Sequence, residues 1–363
     1  MEPKRKILIV DDTATYRQIL TQVAESLSDV EIIGRAQNGK IALQKLETTP
    51  ADIVFLDVYM PEMGGLETLK EIQKKYPSTQ VIMFSSEATD EAGVVIEALR
   101  YGALDFIPKP KGKSLVESLE FLTREVNRVL SLVETKQRIA NKKTITRPPF
   151  PLYETDQGDT ENPIKPPPPV TKKIDLICIG VSTGGPNALA EVLPNLPERV
   201  GCPILIVQHM PATFTKTLSE HLSKRCHLKV KEAENGDLLE PNMVYIAPGG
   251  KHMVLSKRAL KYALVMNEEP PVNSCRPSVD VLFKSVAQNF TGTVLAIILT
   301  GMGEDGAEGV QALKTKECRS IAQERQSCVV YGMPRAIINR GLADETIPLK
   351  DIAPRIEKLC KVL

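Results

Sequence analysis

Eight residues carry the chemistry open to this sequence, and they form two groups. In the first, Asp11 and Asp12 follow the apolar run Ile7 to Val10, and Asp57 follows Ile53 to Leu56. Ser85 follows Val81 to Phe84, and Lys109 follows Phe106-Ile107-Pro108. Parallel strands would bring the three carboxylates to one edge of a sheet. Carboxylates so placed repel one another, and a hard cation such as Mg²⁺ relieves that repulsion. A hydroxyl and an ammonium beside the metal suit the oxygens of a phosphoryl group. Any one of these aspartates, taken alone, is equally explained as a cap on the next helix. Five such residues on four strand ends, in order, argue for a site.

The second group is Ser182, His209 and Asp305. The chain has four histidines, none before position 209, so a histidine base belongs to the second half. His221 and His227 lie on a polar helical pattern, Thr217 to His227, and read as surface residues. His252 starts a hairpin strand and points neither way. His209 directly follows Pro203 to Val207 and can face a ligand crevice as a general base. Ser182 lies in the turn after Ile174 to Ile179, ahead of Gly184-Gly185, which permit tight turning. A helix expected from Asn187 would offer amides to an anion. Asp305 follows the strand Thr293 to Leu299. A serine, a histidine and a carboxylate on three strand ends can serve as nucleophile, base and orienter. Gly180-Val181-Ser182-Thr183-Gly184 fits the G-x-S-x-G elbow by letters, but Gly185-Pro186 after it is unusual. Gly301-Met302-Gly303-Glu304-Asp305-Gly306 also matches G-x-G-x-x-G, with Glu324 beyond it. That reading sets Glu304 and Asp305 where a pyrophosphate would sit, and it falls late in its domain.

The elements that must position these groups alternate between strand and helix. Residues 1–133 read as five β/α units ending in a long helix from Leu115 to Leu132. Residues 172–363 repeat the rhythm, with strands at 174–179, 203–207, 244–247, 293–299 and 328–331 and a small hairpin from His252–Leu255 and Tyr262–Met266. Apolar strands between helices predict parallel sheets covered on both faces, so the fold class is α/β with two doubly wound domains. Residues 134–171 read as a linker, for eight of the 27 prolines lie between 147 and 169.

Composition narrows the function. With 46 Lys plus Arg against 45 Asp plus Glu, the net charge is +1, which provides no global field for nucleic acid or an anionic membrane. Trp is absent and aromatics are 4%, which argues against a stacking platform for single strands. No apolar run approaches the roughly 18 residues of a membrane span, and Ile7 to Val10 is too short for a signal-peptide core. The seven cysteines are scattered, without Cys-x-x-Cys, so neither a zinc site nor a disulfide framework is expected, and the compartment is a reducing cytoplasm.

Val10-Asp11-Asp12, Asp57 with Met60-Pro61, Ser85 and Lys109-Pro110 resemble the receiver domain of two-component response regulators, a flavodoxin-like fold. The resemblance implies that Asp57 accepts a phosphoryl group from a histidine kinase. It implies that Asp11, Asp12 and Asp57 hold Mg²⁺, that Ser85 and Lys109 sense the acyl phosphate, and that Phe106 is an aromatic switch. Tyr59 and Gly64-Gly65 depart from the usual pattern. The second half resembles the Rossmann-like catalytic domain of bacterial chemotaxis protein-glutamate methylesterases. It does so through Ser182-Thr183-Gly184-Gly185-Pro186, Gln208-His209-Met210-Pro211, Tyr245 to Gly250, Cys275 to Asp280, Thr300 to Gly306 and Ser327 to Pro334. Val181 and Arg325 are small departures. The implied substrate is a glutamate methyl ester on a chemoreceptor's cytoplasmic helices, hydrolysed to methanol without a cofactor, with receptor glutamines as a deamidation substrate. Ser182 would attack, His209 take the proton, Asp305 orient His209, and amides near Met302 form the oxyanion hole. The receiver would cover the esterase until Asp57 is phosphorylated. The other class considered is a phosphorylation-dependent binding module with an inactive hydrolase-like domain, against which the intact Ser182, His209 and Asp305 argue.

Overall fold

The structure, a computed structural model, describes residues 4–86, 88–110, 114–142, 173–259 and 261–361. The chain divides into two compact units, Met1–Lys142 and Lys143–Leu363.

The first unit runs β1 (Arg5–Val10), α1 (Ala14–Glu25), β2 (Val30–Ala36), α2 (Gly39–Thr48), β3 (Ile53–Asp57), α3 (Gly65–Lys75), β4 (Gln80–Ser85), α4 (Thr89–Arg100), β5 (Asp105–Pro108) and α5 (Leu115–Lys142). The five strands are parallel in the order β2-β1-β3-β4-β5. The central place of β3 follows from burial. Ile53 to Leu56 on β3 is apolar at every position, so both faces need helices over them. Strand order reverses between β1 and β3, and ligands bind beyond the carboxyl ends of strands at such a switch point. Asp11, Asp12 and Asp57 lie at that place. Helix α5 is longer than the sequence pattern predicts and occupies 134–142. The rest of the expected linker, to residue 171, lies outside the described residues.

The second unit runs β6 (Leu176–Val181), α6 (Gly185–Val192), β7 (Ile204–Gln208), α7 (Ala212–Ser223), β8 (Lys229–Glu232), β9 (Met243–Ile246), β10 (His252–Arg258), β11 (Lys261–Asn267), α8 (Val279–Asn289), β12 (Val294–Ile298), α9 (Ala307–Leu313), β13 (Cys318–Gln323), α10 (Met333–Asn339), β14 (Glu345–Ile347) and α11 (Leu349–Cys360). Seven parallel strands are ordered β14-β13-β12-β6-β7-β9-β8, and β10–β11 is the expected antiparallel hairpin. The core is continuous around β6, β7 and β12, with Leu176, Cys178, Leu205, Val207, Ala296 and Ile298 among its buried residues. Here β6 is the switch point: the chain winds first towards β7 and returns on its other side through β12.

Two expectations are corrected. Residues 328–331 are not a strand; a single bridge joins Gly301 to Tyr331. Their apolar character serves a loop instead, for Val330 N donates to Thr300 Oγ1 (2.9 Å) and Val330 O accepts from Gly301 N (3.0 Å). The sheet position belongs to β13. Its Arg319 and Ser320 hid it from an apolar pattern, and in the fold they pair with Glu345 and Asp344 from the β14 region. Helix α6 begins at Gly185 rather than Asn187, because Gly184 turns the chain at φ +78°.

Candidate active site and acidic cluster

At the carboxyl edge of the first sheet, Asp11 and Asp57 are buried and Asp12 is exposed. Each offers an oxygen to a cluster within 4.8 Å. Lys109 Nζ lies 2.7 Å from Asp57 Oδ1 and 3.0 Å from Asp11 Oδ2. Thr13 N donates to Asp11 Oδ1 (2.7 Å) and Val58 N to Asp57 Oδ1 (2.8 Å). Burial, and then the charge of Asp11, push the Asp57 carboxyl up to about 7. Burial also raises Asp11. On Lys109 burial opposes the charge, but the bonds and charges of Asp57 and Asp11 prevail and raise it. Asp11 Oδ2, deeply buried, has only the Lys109 ammonium beside it, which it shares with Asp57. A carboxylate set short of positive charge fits a hard divalent cation.

Lys109 N donates to Ser85 O (2.7 Å), which joins the ends of β4 and β5. The Ser85 hydroxyl turns elsewhere, to Glu91 Oε2 (3.0 Å) and Ser86 O (2.9 Å). Thus four of the five expected residues meet through their side chains, and Ser85 contributes position only. Phe106 is buried. Sequence reasoning missed Glu91, one of several acids in its helical turn, and Tyr16, whose ring lies 4.8 Å from Lys109 Nζ.

In the second unit Ser182, His209 and Asp305 follow the adjacent strands β6, β7 and β12. Ser182 N donates to Thr300 O (3.0 Å), and His209 N to Val181 O (3.3 Å). Gln208 Nε2 donates to Ser182 O (3.0 Å), fixing the turn from the neighbouring strand. A Cβ on Gly185 would lie 1.9 Å from Gln208 Oε1, and one on Gly301 would lie 2.8 Å from Ser182 Cβ. Glycine is therefore required where the two loops close around the serine. Met302, beside Gly301, is 38% exposed, so its side chain stands at the rim.

His209 Nε2 lies 2.8 Å from Asp305 Oδ2, and Cys275 Sγ lies 3.4 Å from His209 Nδ1. Asp305 accepts further bonds from Asn273 Nδ2 (2.9 Å), Ser278 Oγ (2.8 Å), Val279 N (2.7 Å) and Asp280 N (3.2 Å). Burial opposes charge on both partners. On His209 the Asp305 and Cys275 contacts overcome it, so the imidazole holds its proton well above its ordinary range. On Asp305 the bonds from His209 and Asn273 overcome it and hold the carboxyl below the usual range. The pair can retain a proton on the imidazole, as a base–orienter pair requires.

The other histidines sort themselves by place. His227 is exposed and His221 half-buried, while His252 is fully buried between Pro270 O and Ser278 N. The G-x-G-x-x-G segment is no dinucleotide cradle, because Gly306 N (3.0 Å) and Gly309 N (2.6 Å) donate to Asp280 Oδ1. The amides a pyrophosphate would need are taken by the chain's own carboxylate. Sequence reasoning quoted Gln208 and Cys275 to Asp280 as parts of motifs without giving them roles, and Asn273 not at all. An Asn in a polar loop carries no signal until the loop is folded.

The CheB methylesterase family model matches residues 177–356, and the response regulator receiver domain model matches residues 7–120. The chain is 39% identical to a protein-glutamate methylesterase/protein-glutamine glutaminase of Desulfotalea psychrophila, covering 98% of this chain and 99% of that one. It is 41% identical to the protein of that name from Halalkalibacterium halodurans, covering 99% and 100%. The crystal structure of the Thermotoga maritima CheB methylesterase catalytic domain aligns with a TM-score of 0.50 at 39% identity, covering 52% of this chain and all of that one. No helix among the described residues is long and apolar enough to cross a membrane.

Proposed function

The chain belongs to the protein-glutamate methylesterase family, with a response regulator receiver domain at its N-terminus, and from that premise we propose how its two sites work. The second unit hydrolyses glutamate methyl esters on the cytoplasmic part of a chemoreceptor and deamidates receptor glutamines. The observation that carries this reading is the His209–Asp305 pair, 2.8 Å apart, at the strand end next to the Ser182 turn.

Ser182 Oγ attacks the ester carbonyl carbon while His209 takes its proton. Asp305 occupies Nε2, so the proton goes to Nδ1, on the Cys275 side. The carbonyl oxygen becomes an oxyanion, which we assign to the backbone amide of Met302, since the Gly301 amide already donates to Val330 O. Loss of one such donor typically costs roughly 10²–10³ in rate. His209 then protonates the departing methoxide, methanol leaves, and a water activated by His209 cleaves the acyl-serine to free glutamate. For a glutamine the leaving group is ammonia.

In the first unit Asp57 is the phosphoacceptor and a histidine kinase the donor. Asp11, Asp12 and Asp57 would hold Mg²⁺, which shields the incoming phosphoryl oxygens from the carboxylates. Lys109, already bonded to Asp57, would pair with a phosphoryl oxygen, and Ser85 would release Glu91 to do the same. The unphosphorylated receiver holds the esterase down.

The test is methanol release from methylated receptor membranes, with and without a small phosphodonor plus Mg²⁺. Release should rise with the phosphodonor and vanish in Ser182→Ala. Absence of release by folded protein with a matched receptor would favour the silent binding module.

A further inference from the structure

The loop joining β11 to α8 is fastened at both ends by one buried side chain. His252 Nδ1 accepts from Ser278 N (3.2 Å), so the ring proton is on Nε2, which donates to Pro270 O (3.1 Å). Between these ties, Val272 and Cys275 exchange both backbone hydrogen bonds (3.1 and 2.9 Å). The two residues they enclose, Asn273 and Ser274, have φ of +53° and +60°. Successive left-handed residues closing a two-residue loop make a type I′ turn, and Asn tolerates that conformation better than most residues. The turn directs the Asn273 amide inward. Its Nδ2 lies 2.8 Å from Asp280 Oδ2 and 2.9 Å from Asp305 Oδ1. Among the described residues no other side chain donates to both carboxylates.

We propose that Asn273 is the positioning residue of the esterase acid: it gives one amide hydrogen to each of two buried carboxylates, holds them side by side and so tempers the charge that Asp305 presents to His209. The proposal rests on the esterase reading of His209 and Asp305. Its physical basis is the proximity of two like charges. Asp280 is committed to the α9 amides through Oδ1, so it cannot turn away from Asp305. An amide shared between them converts repulsion into two hydrogen bonds. The groups facing His209 are Asp305 and Cys275, and those facing Asp305 are Asn273, Ser278, Asp280 and His209. Asn273 also draws charge away from Asp305 Oδ1. Without it Asp305 becomes a stronger acceptor for His209, which then keeps its proton to higher pH.

The experiment uses the full-length chain and two variants. Asn273→Gly removes the amide while a positive φ stays comfortable, and Asn273→Asp keeps the shape but puts a third carboxylate in the gap. The readout is the NMR titration of the His209 imidazole, assigned with His209→Gln among only four histidines. It works whether or not the chain hydrolyses esters. In both variants the His209 midpoint should move to higher pH, further in Asn273→Asp. Methanol release should fall on the order of 10- to 100-fold in kcat, with KM nearly unchanged. An unmoved or lowered midpoint in a folded variant overturns the proposal, even where activity is lost, because a merely structural residue would not temper the charge on the pair. If Asn273→Gly does not fold, Asn273→Asp decides alone. Wild type that releases no methanol overturns the esterase reading, and the His209 titration still decides the role of Asn273.

Discussion

Five hydrogen bonds converge on the Asp305 carboxylate, four of them from residues 273–280 and the fifth from His209. That saturation keeps Asp305 ionised, and an ionised Asp305 holds His209 protonated well above the ordinary imidazole range. A protonated His209 cannot take the serine proton. Hydrolysis should therefore rise with pH through a limb lying above about 6.5, the unperturbed imidazole value. Asp305→Asn should move that limb to lower pH, because the imidazolium loses its counter-charge, and should lower kcat by roughly 10⁴-fold through loss of tautomer control. A pH profile of kcat/KM checks both, and an unmoved limb would contradict the assigned pair. Cys275 offers a second test. Its sulfur lies 3.4 Å from Nδ1, the nitrogen to which we assign the serine proton. Alkylation by iodoacetamide should inactivate wild type, and the residual activity of Cys275→Ala should resist the reagent, with the adduct located by mass spectrometry.

At the scale of elements, the sites depend on how closely neighbouring strand ends approach. The β6–α6 turn has no space for a side chain at Gly185, where a Cβ would meet Gln208 Oε1 at 1.9 Å. Gly185→Ala should then displace the Gln208 amide that holds the Ser182 carbonyl. We expect a loss of roughly 1–3 kcal/mol in stability, measured by urea unfolding of the full chain. We also expect a larger fall in kcat than in substrate binding, since the Ser182 turn moves and the rim does not. Strands of continuous apolar sequence, such as β3 and β6, were legible from composition alone because both faces are buried. Strand β13 was not. Its Arg319 and Ser320 face polar partners supplied by residues 344 and 345, which only the folded sheet brings alongside. The Cys328 to Tyr331 run misled for the converse reason: its apolar residues serve a loop, with Val329 packed against Gly184 of the serine turn.

At the scale of the molecule, two units with separate sheets and separate cores are tied into one chain. The second unit has its own continuous core, so a chain cut to 172–363 should fold. If the receiver restrains the esterase, that fragment should release methanol faster than the unphosphorylated full chain. An unchanged or lower rate in the folded fragment would refute restraint. In the full chain, Asp57→Asn should abolish the response to a phosphodonor while leaving basal release intact. Chelation of Mg²⁺ should do the same and should not affect the fragment. The division of labour follows from the acidic cluster lying wholly in the first unit.

By itself the sequence determined the residue types at the strand ends, the α/β rhythm of both halves and the family. These depend on local pattern: apolar runs, the polar residues that end them, and motifs in fixed order. Only the tertiary structure decided which of those groups touch. It set Lys109 between Asp57 and Asp11, turned the Ser85 hydroxyl to Glu91, and gave His209 Nε2 rather than Nδ1 to Asp305. It also brought Asn273 and Cys275, about thirty residues before Asp305, to the two ends of the His–Asp pair. Contacts of that kind are made across strands and loops far apart in the chain, where the crossing of β6, β7 and β12 sets the distances and no spacing in the sequence records them.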